Sequence, residues 1–195
     1  MIASLILTAL RTPITASSLH QRAIRNKMST HHKQRIFDLL KNNAIKYKAM
    51  HHEETPTSED SARARGEDLS TGGKALVLKF REVAQVEGDS AAEFAIFVLS
   101  ASRKLHTKAI KKEFKIKNVR FATGEELSNL TDGLVPGSVP PFGRPIIDLD
   151  LFVDTSIEQN EKIAFNCGSL TDSIVMSVAD YMKAAAPTKV FSFSK

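Results

Sequence analysis

The chain has 195 residues, 42% of them hydrophobic, which is enough for one globular domain with an extension. Its one cysteine, Cys167, excludes an intramolecular disulfide. The longest apolar runs, residues 2–10 and 94–99, are too short to span a bilayer. We therefore expect neither a disulfide-stabilised protein nor an integral membrane protein.

The net charge of +5 is concentrated near the N-terminus. Residues 1–35 contain six basic and no acidic side chains, which leaves 21 basic and 22 acidic groups in the rest of the chain. One segment of this nearly neutral part is nevertheless basic, with Arg103, Lys104, Lys108, Lys111, Lys112, Lys115 and Lys117 interrupted only by Glu113. Such local density attracts phosphate, and the alternative interpretation is a solvated lysine face on a helix.

Residues 1–30 are rich in Arg, Ser, Thr and Ala and lack acidic side chains. This composition resembles a mitochondrial or plastid targeting segment, and the alternative is a disordered extension or upstream sequence ahead of a start at Met28. We expect a cytoplasmic protein, or a mitochondrial one if this segment acts as a transit peptide. We assign residues 1–33 to an N-terminal extension, 34–187 to the folded domain and 188–195 to a C-terminal tail.

Hydrophobic periodicity predicts helices and strands in an irregular order. Thr55 or Thr57 is the candidate N-cap of one helix, and Thr123 with Glu126 is the candidate capping box of another. Residues 82–93 are predicted to form an acidic turn. No β-α repeat and no dinucleotide-type glycine fingerprint is present, so we expect an α+β fold with a mixed sheet of about six strands and flanking helices. The predicted helices are 34–44, 55–65, 103–114, 123–130 and 180–186, and the predicted strands are 47–51, 74–80, 94–99, 119–121, 145–153, 162–166 and 173–178.

Residues 134–145 contain four prolines and two glycines and cannot form a helix or a central strand. They include the apolar residues Val135, Val139 and Phe142 and only one charged residue, Arg144. Linkers are usually polar, so we expect this stiff loop to line a pocket.

Few side chains stand out as candidates for chemistry. The pairs His31-His32 and His51-His52 lack the i, i+4 spacing of a helical zinc site, so we predict no metal. Cys167 is interpreted as a small buried residue, with a nucleophile as the alternative. Lys74 begins the more apolar face of its strand beside Gly72-Gly73, and its alternative is an edge lysine that extends to solvent.

Three motifs occur in order along the chain: Gly73-Lys74-Ala75-Leu76-Val77, then Gly137-Ser138-Val139-Pro140-Pro141-Phe142-Gly143, then Val153-Asp154 followed by Ile163-Ala164-Phe165-Asn166-Cys167-Gly168-Ser169. Over roughly residues 36–186 the chain resembles the YbaK/prolyl-tRNA synthetase-associated domain family. Its members are editing domains that hydrolyse the ester of tRNA carrying the wrong amino acid. The resemblance implies a mixed, partly barrel-like sheet and no cofactor. It also implies aminoacylated tRNA as partner, with an aminoacyl-tRNA synthetase as a further candidate.

The resemblance also implies residue roles. Lys74 matches the lysine on which these deacylases depend, and the segment from Arg103 onward is the candidate tRNA surface, with Arg103, Lys104, Lys108, Lys111 and Lys112 as contacts. Phe142 is expected to pack against adenine or the pocket interior, or alternatively to belong to the core. The substrate-binding residues are predicted to be Gly137, Ser138, Val139, Pro140, Phe142, Gly143, Asn166, Gly168 and Ser169.

One position departs from the family pattern. A histidine follows the Gly-Ser pair in alanine-type editors, whereas this chain has Leu170. The imidazole contact is absent, which weighs against alanine specificity. The resemblance as a whole implies a deacylase for a small amino acid, alanine, cysteine, serine or threonine, that acts in trans, and we expect substrate-assisted hydrolysis. The alternative is a module of the same fold that binds tRNA or a synthetase without catalysis.

Overall fold

The computed structural model describes residues 31–80 and 94–195. The predicted targeting segment with Met28, and the acidic turn over 82–93, lie outside the described residues. No helix in the described ranges is long and apolar enough to cross a membrane.

Helices and strands follow one another in an irregular order, as the sequence predicts. The helices are α1 (31–42), α2 (Ser58–Arg65), α3 (Thr107–Glu113), α4 (Gly124–Leu130), α5 (Thr155–Glu158) and α6 (Val178–Ala185), with a 3-10 turn at Leu69–Thr71. The strands are β1 (Tyr47–His51), β2 (Gly73–Phe80), β3 (Phe94–Ser100), β4 (Val119–Phe121), β5 (Asp150–Asp154), β6 (Lys162–Asn166), β7 (Asp172–Ser177) and β8 (Lys189–Phe191).

The described strands form two sheets. One is antiparallel with the order β1-β7-β6, and the other is mixed with the order β4-β2-β3-β5-β8, in which β5 is parallel to both neighbours. The sheets meet at a bridge between Gly72 and Ala164. The α+β prediction with a mixed sheet is confirmed, but the strands are divided between two sheets because β6 and β7 pair with β1.

Strand β3 lies between the two parts of the hydrophobic core, which is why its sequence is apolar on both faces. Ile96 and Val98 face a cluster that includes α1 and the three-stranded sheet, whereas Phe97 faces a second cluster that includes Ile110 of α3. The alternation on β2 follows the same division, with Val77 in the first cluster and Leu78 in the second. The face of β2 that begins at Lys74 therefore continues into the second cluster, and the opposite face packs on the first.

Several predicted element boundaries are wrong. Helix α1 covers 31–42 and ends before Ala44, which has a φ of 53°. Thr57 and not Thr55 caps α2, because its side chain accepts from the backbone of Asp60. Helix α3 begins at Thr107, so Arg103 and Lys104 precede it. In the predicted strand over 145–153 only β5 is extended, since backbone bonds close turns over 143–149.

Residues 188–195 are part of the fold and not a free tail. Strand β8 pairs with β5, and the Phe193 side chain is fully buried in the second cluster. The buried Asp154 carboxylate accepts from the backbone N–H of Phe193 and from Ser194. Sequence periodicity misses this segment because β8 is only three residues long.

We predict that Phe193→Ala lowers the free energy of unfolding by about 3 to 5 kcal/mol, because it leaves a cavity in a well-packed cluster. Phe121→Ala is the matched control, since Phe121 is 57% exposed and its truncation removes little packing. Urea unfolding of both variants measures the difference. Equal stability of the two variants would show that the C-terminal segment is not integral to the fold.

Candidate active site

A cavity of about 190 Å³ lies where the two sheets meet. Residues of α2 and the segment before it, the start of β2, the loop 134–145 and the end of β6 surround it. Its lining consists of Thr55, Pro56, Thr57, Ser58, Ser61, Arg65, Gly72, Gly73, Lys74, Ala75, Leu76, Ala101, Gly137, Val139 and Asn166. The volume suits a small acyl group better than a whole nucleotide.

Gly72 and Gly73 allow two close approaches of the chain at this cavity, of which the one at Gly73 is between the two sheets. A Cβ atom on Gly73 would lie 2.7 Å from Cδ1 of Ile163, and one on Gly72 would lie 2.8 Å from Cβ of Ala101. Gly73 therefore lets β2 come close to Ile163 of β6, whereas Gly72 lets the chain come close to Ala101, which follows β3 in the same sheet as β2. Gly73 belongs to β2, and the pair is therefore a close-packing site.

Lys74 lies on β2 at the cavity, half-buried. Its Nζ donates to the backbone oxygen of Arg103 at 2.9 Å. Burial lowers the pKa of Lys74, and the negative charge of Glu59 opposes this shift. Partial desolvation also strengthens the attraction of the ammonium for any anionic group that enters the cavity.

The loop 134–145 contributes backbone and one side chain to the cavity wall. Gly137 has a φ of 86°, in the region that favours glycine, and its carbonyl accepts from Nδ2 of Asn166 at 2.9 Å. Gly168 donates its backbone N–H to the carbonyl of Ser138 at 3.1 Å. Of the predicted substrate-binding residues, the structure brings Gly137, Val139 and Asn166 to the cavity beside Lys74.

The other predicted substrate-binding residues do not line the cavity: Ser138, Pro140, Phe142, Gly143, Gly168 and Ser169. Phe142 is buried in the core against Phe165 and Tyr181, so the alternative interpretation holds for it. Gly143 is needed for packing, because a Cβ there would lie 2.5 Å from the backbone oxygen of Leu149.

The turn after β6 is held by Asp172. Its carboxylate accepts from Ser169 Oγ at 2.7 Å and pairs with Lys33 at 2.7 Å and with His51 at 3.1 Å. Burial alone would raise the pKa of Asp172, but the bonds from Lys33, Ser169 and His51 outweigh it and lower the pKa to about 2. The ionised carboxylate therefore stabilises the turn that carries Gly168.

Sequence reasoning missed the contribution of α2 to the site. Ser58, Ser61 and Arg65 lie at helical spacing on one face of small and polar residues. This spacing is the sequence feature that could have indicated a contribution of α2 to the site. Arg65 Nε donates to Ser173 Oγ at 2.9 Å, and its Nη2 donates to Oδ1 of Asn166. Burial lowers the pKa of Arg65 to about 10, so its guanidinium remains charged at neutral pH.

Cys167 is buried next to this network but does not line the cavity. Burial raises the pKa of its thiol to about 12, which disfavours the thiolate that a nucleophile requires. The packing interpretation of Cys167 is therefore favoured. In residues 31–80 and 94–195, no group of three or more His, Cys, Asp or Glu side chains is arranged to hold a metal ion.

The basic segment begins at the rim of the cavity, through the contact of the Arg103 backbone with Lys74. The side chains of Arg103, Lys104, Lys108 and Lys112 are exposed, and Lys111 is partly buried. Their predicted role as tRNA contacts stays a prediction.

Comparison with known proteins identifies the family. Residues 52–184 match the model of the aminoacyl-tRNA editing domain. The chain belongs to the aminoacyl-tRNA editing domain family. This editing-domain protein is 30% identical over 159 residues to the Multifunctional Ser/Thr-tRNA deacylase ProXp-y of Escherichia coli (strain K12), which covers 80% of this chain and 90% of the relative. The same figures hold for ProXp-y of Escherichia coli O157:H7.

The fold of the editing domain is also found in solved structures. One, described as a candidate trans-editing enzyme for prolyl tRNA synthetase, has a TM-score of 0.67 and 18% sequence identity, and the match covers 84% of this chain and 97% of that one. The predicted family is thereby confirmed, and with it the class of enzyme, a hydrolase acting on the aminoacyl ester of mischarged tRNA.

We predict that the stabilising effect of Asp172 is lost in acid. Its folded-state pKa is about 2 and its ordinary value is 3.8, so the carboxylate stabilises the fold fully above that value and loses its effect as the pH falls toward 2. The difference in unfolding free energy between the wild type and Asp172→Asn should be constant from pH 7 to about pH 5 and narrow below pH 4.

Asp68→Asn is the control, since Asp68 is exposed and makes no capping bond through its side chain. Denaturant unfolding across the pH range measures both differences. If the difference in unfolding free energy between the wild type and Asp172→Asn is as large near pH 2 as at pH 7, the ionised carboxylate does not have the proposed role.

Proposed function

We propose that this editing-domain protein acts in trans on tRNA mischarged with serine or threonine. The observation that carries the proposal is the combination, in one small cavity, of the Lys74 ammonium with hydroxyl and amide side chains. The curated relatives are named as Ser/Thr-tRNA deacylases and match over 80% of the chain, which supports the same substrate class.

The polar lining favours a hydroxyl-bearing amino acid. Thr55, Thr57, Ser58, Ser61 and Asn166 line the cavity, and the hydroxyls of Thr55, Thr57 and Ser61 already bond within the protein, so a substrate hydroxyl would join an existing polar network. A site that hydrogen-bonds a substrate hydroxyl discriminates strongly against an analogue without it, because buried polar groups are then left unpaired. Leu170 replaces the histidine of alanine-type editors and packs close to Gly137, which weighs against alanine as the preferred substrate.

The residues that line the cavity suggest how the ester is cleaved. Among the described lining residues there is no His, Asp, Glu or Cys that could act as a general base. We therefore assign activation of water to the substrate, through the neighbouring hydroxyl of the terminal ribose. Water adds to the ester carbonyl carbon, the carbonyl oxygen becomes negative, and the bond to the ribose oxygen then breaks with a proton returned to that oxygen. Lys74 stabilises the negative charge.

A non-catalytic binding module is the second candidate. A module that only binds tRNA needs a basic surface but has no use for a desolvated lysine inside a small cavity. Both features are present here, which favours the enzyme.

We predict that the wild type releases serine and threonine faster than alanine and cysteine from a panel of the four mischarged tRNAs. Lys74→Ala should lower the single-turnover rate on seryl-tRNA by about 10²-fold or more, as expected for loss of a group that stabilises the developing oxyanion. Lys162→Ala, which removes an exposed lysine at the start of β6, is the matched control and should retain the wild-type rate.

The outcomes separate the candidates. Release of no amino acid by the wild type would favour the binding module. A Lys74→Ala variant with the wild-type rate would remove Lys74 from catalysis while leaving the deacylase function in place. Faster release of alanine than of serine would overturn the proposed specificity alone.

The basic segment is proposed to contact tRNA phosphates. Arg103 connects it to the cavity rim, so a tRNA bound along α3 would have its acceptor end near Lys74. An aminoacyl-tRNA synthetase as an additional partner stays a prediction.

We predict that reversing Lys108 and Lys112 to Glu weakens tRNA binding in a salt-dependent manner. Each lost phosphate contact should reduce the slope of log affinity against log salt concentration by roughly 0.7 to 0.9. Lys41→Glu, an exposed change on α1, is the control. Binding of uncharged tRNA at several salt concentrations gives the slopes, and identical slopes for all three proteins would place the tRNA surface elsewhere.

A further inference from the structure

Arg65 is a buried cation without a carboxylate partner in the described part of the chain. It is 8% exposed, and its bonds go to neutral groups: Ser173 Oγ, Asn166 Oδ1 and, at a longer distance of 3.5 Å, the backbone oxygen of Ala164. The negative charge of Glu67 raises the pKa of Arg65 by long-range electrostatic attraction, but the two side chains form no ion pair. Burying an unpaired charge is costly, so a purely structural role is a poor explanation for this residue.

The hydrogen-bond network determines which way the Asn166 amide points. A guanidinium can only donate, so the atom that faces Arg65 must be the amide oxygen, which also accepts from Ser173 Oγ at 3.0 Å. A carbonyl can only accept, so the atom that faces Gly137 must be the amide nitrogen. Both ends of the side chain give the same orientation.

This orientation leaves one donor available. The Asn166 nitrogen carries two N–H groups, and the backbone of Gly137 takes one of them. Asn166 lines the same cavity as Lys74 and Arg65, and among the described residues no other acceptor is bonded to its nitrogen. A hydrogen bond to a cation also polarises the amide and makes its N–H a stronger donor.

We infer that Arg65 is a positioning residue that fixes the Asn166 amide so that its free Nδ2–H donates to the carbonyl oxygen of the aminoacyl ester. The inference rests on the proposed function and deepens it. As the carbonyl oxygen becomes negative, the donor bond strengthens, and the positive charge of Arg65 behind the amide stabilises the same oxygen through space.

Asn166→Asp is the sharpest test, because it should separate stability from activity. The new carboxylate pairs with Arg65, and this charge-assisted bond opposes the cost of the lost Gly137 bond and of the two oxygens that then face each other; thermal unfolding of the variant measures the balance. The donor, however, is replaced by a negative acceptor. We expect the single-turnover rate on seryl-tRNA to fall by about 10²-fold or more. Asn43→Asp is the matched control, since Asn43 also donates through Nδ2 to a backbone carbonyl but is exposed on another surface.

Arg65→Lys tests the positioning role. A lysine keeps the positive charge but lacks the planar guanidinium, whose separate N–H groups bond Ser173 and Asn166 at the same time. We expect kcat to fall about tenfold or more with KM for tRNA changed less than about twofold, since most of the binding energy for tRNA comes from phosphate contacts. A structural role alone predicts the wild-type kcat in every variant whose thermal unfolding shows it to be folded.

A binding measurement keeps the test independent of catalysis. The probe is adenosine that carries a seryl group through a 3′-amide, which retains the carbonyl oxygen and cannot be hydrolysed as an ester. Its Kd should rise about fivefold or more in Asn166→Asp, in line with one lost hydrogen bond. If the wild type binds the probe without releasing serine from tRNA, the weaker binding of Asn166→Asp still supports the inference while the deacylase proposal falls. A folded Asn166→Asp that binds the probe as the wild type does, or a wild type that does not bind it, overturns the inference.

Discussion

The site depends on the close contact between the two sheets at Gly72-Gly73. Because Gly73 carries no side chain, the start of β2 lies closer to the Ile163 side chain of β6 than a Cβ would allow, and Gly72 forms a backbone bridge with Ala164 of β6. This contact places Lys74, the first residue after the glycines, in the same cavity as Asn166 at the end of β6. Lys74 and Asn166 belong to separate sheets, and without this contact they could not face one substrate.

The electrostatics of the cavity follow from which charges the fold brings there. Its described lining contains two cations, Lys74 and Arg65, and no carboxylate. A cavity of this kind suits a neutral ester whose carbonyl oxygen becomes negative during hydrolysis, since the positive groups are in place before the reaction and need not reorganise. The acidic side chains nearby have other roles: Asp172 holds the turn after β6 with Lys33 and Ser169, and Asp154 anchors the C-terminal segment.

The elements that sequence predicted correctly are those whose signal is local. The alternation on β2 and the two-sided apolar run of β3 both survive in the structure, because burial of each face decides the residue type. The glycine motif led to Lys74 through family resemblance. Arg65 was not found, since its role depends on contacts with residues about a hundred positions away in β6 and β7. Phe193 was missed for a similar reason: three residues of β8 carry too little periodicity to distinguish a strand from a tail.

The loop 134–145 shows how a stiff apolar loop contributes to a cavity largely through its backbone. Its apolar residues serve mainly to anchor the loop: Phe142 packs between Phe165 and Tyr181, and the Tyr181 hydroxyl donates to the carbonyl of Pro141 at 2.8 Å. With the far side of the loop fixed in the core, Gly137 is held at a positive φ and presents its carbonyl to Asn166. A stiff loop suits this position because the Gly137 carbonyl holds the nitrogen end of the Asn166 amide, while Arg65 and Ser173 hold its oxygen end. The prolines and the buried aromatic ring therefore contribute to the site through the position of one backbone oxygen.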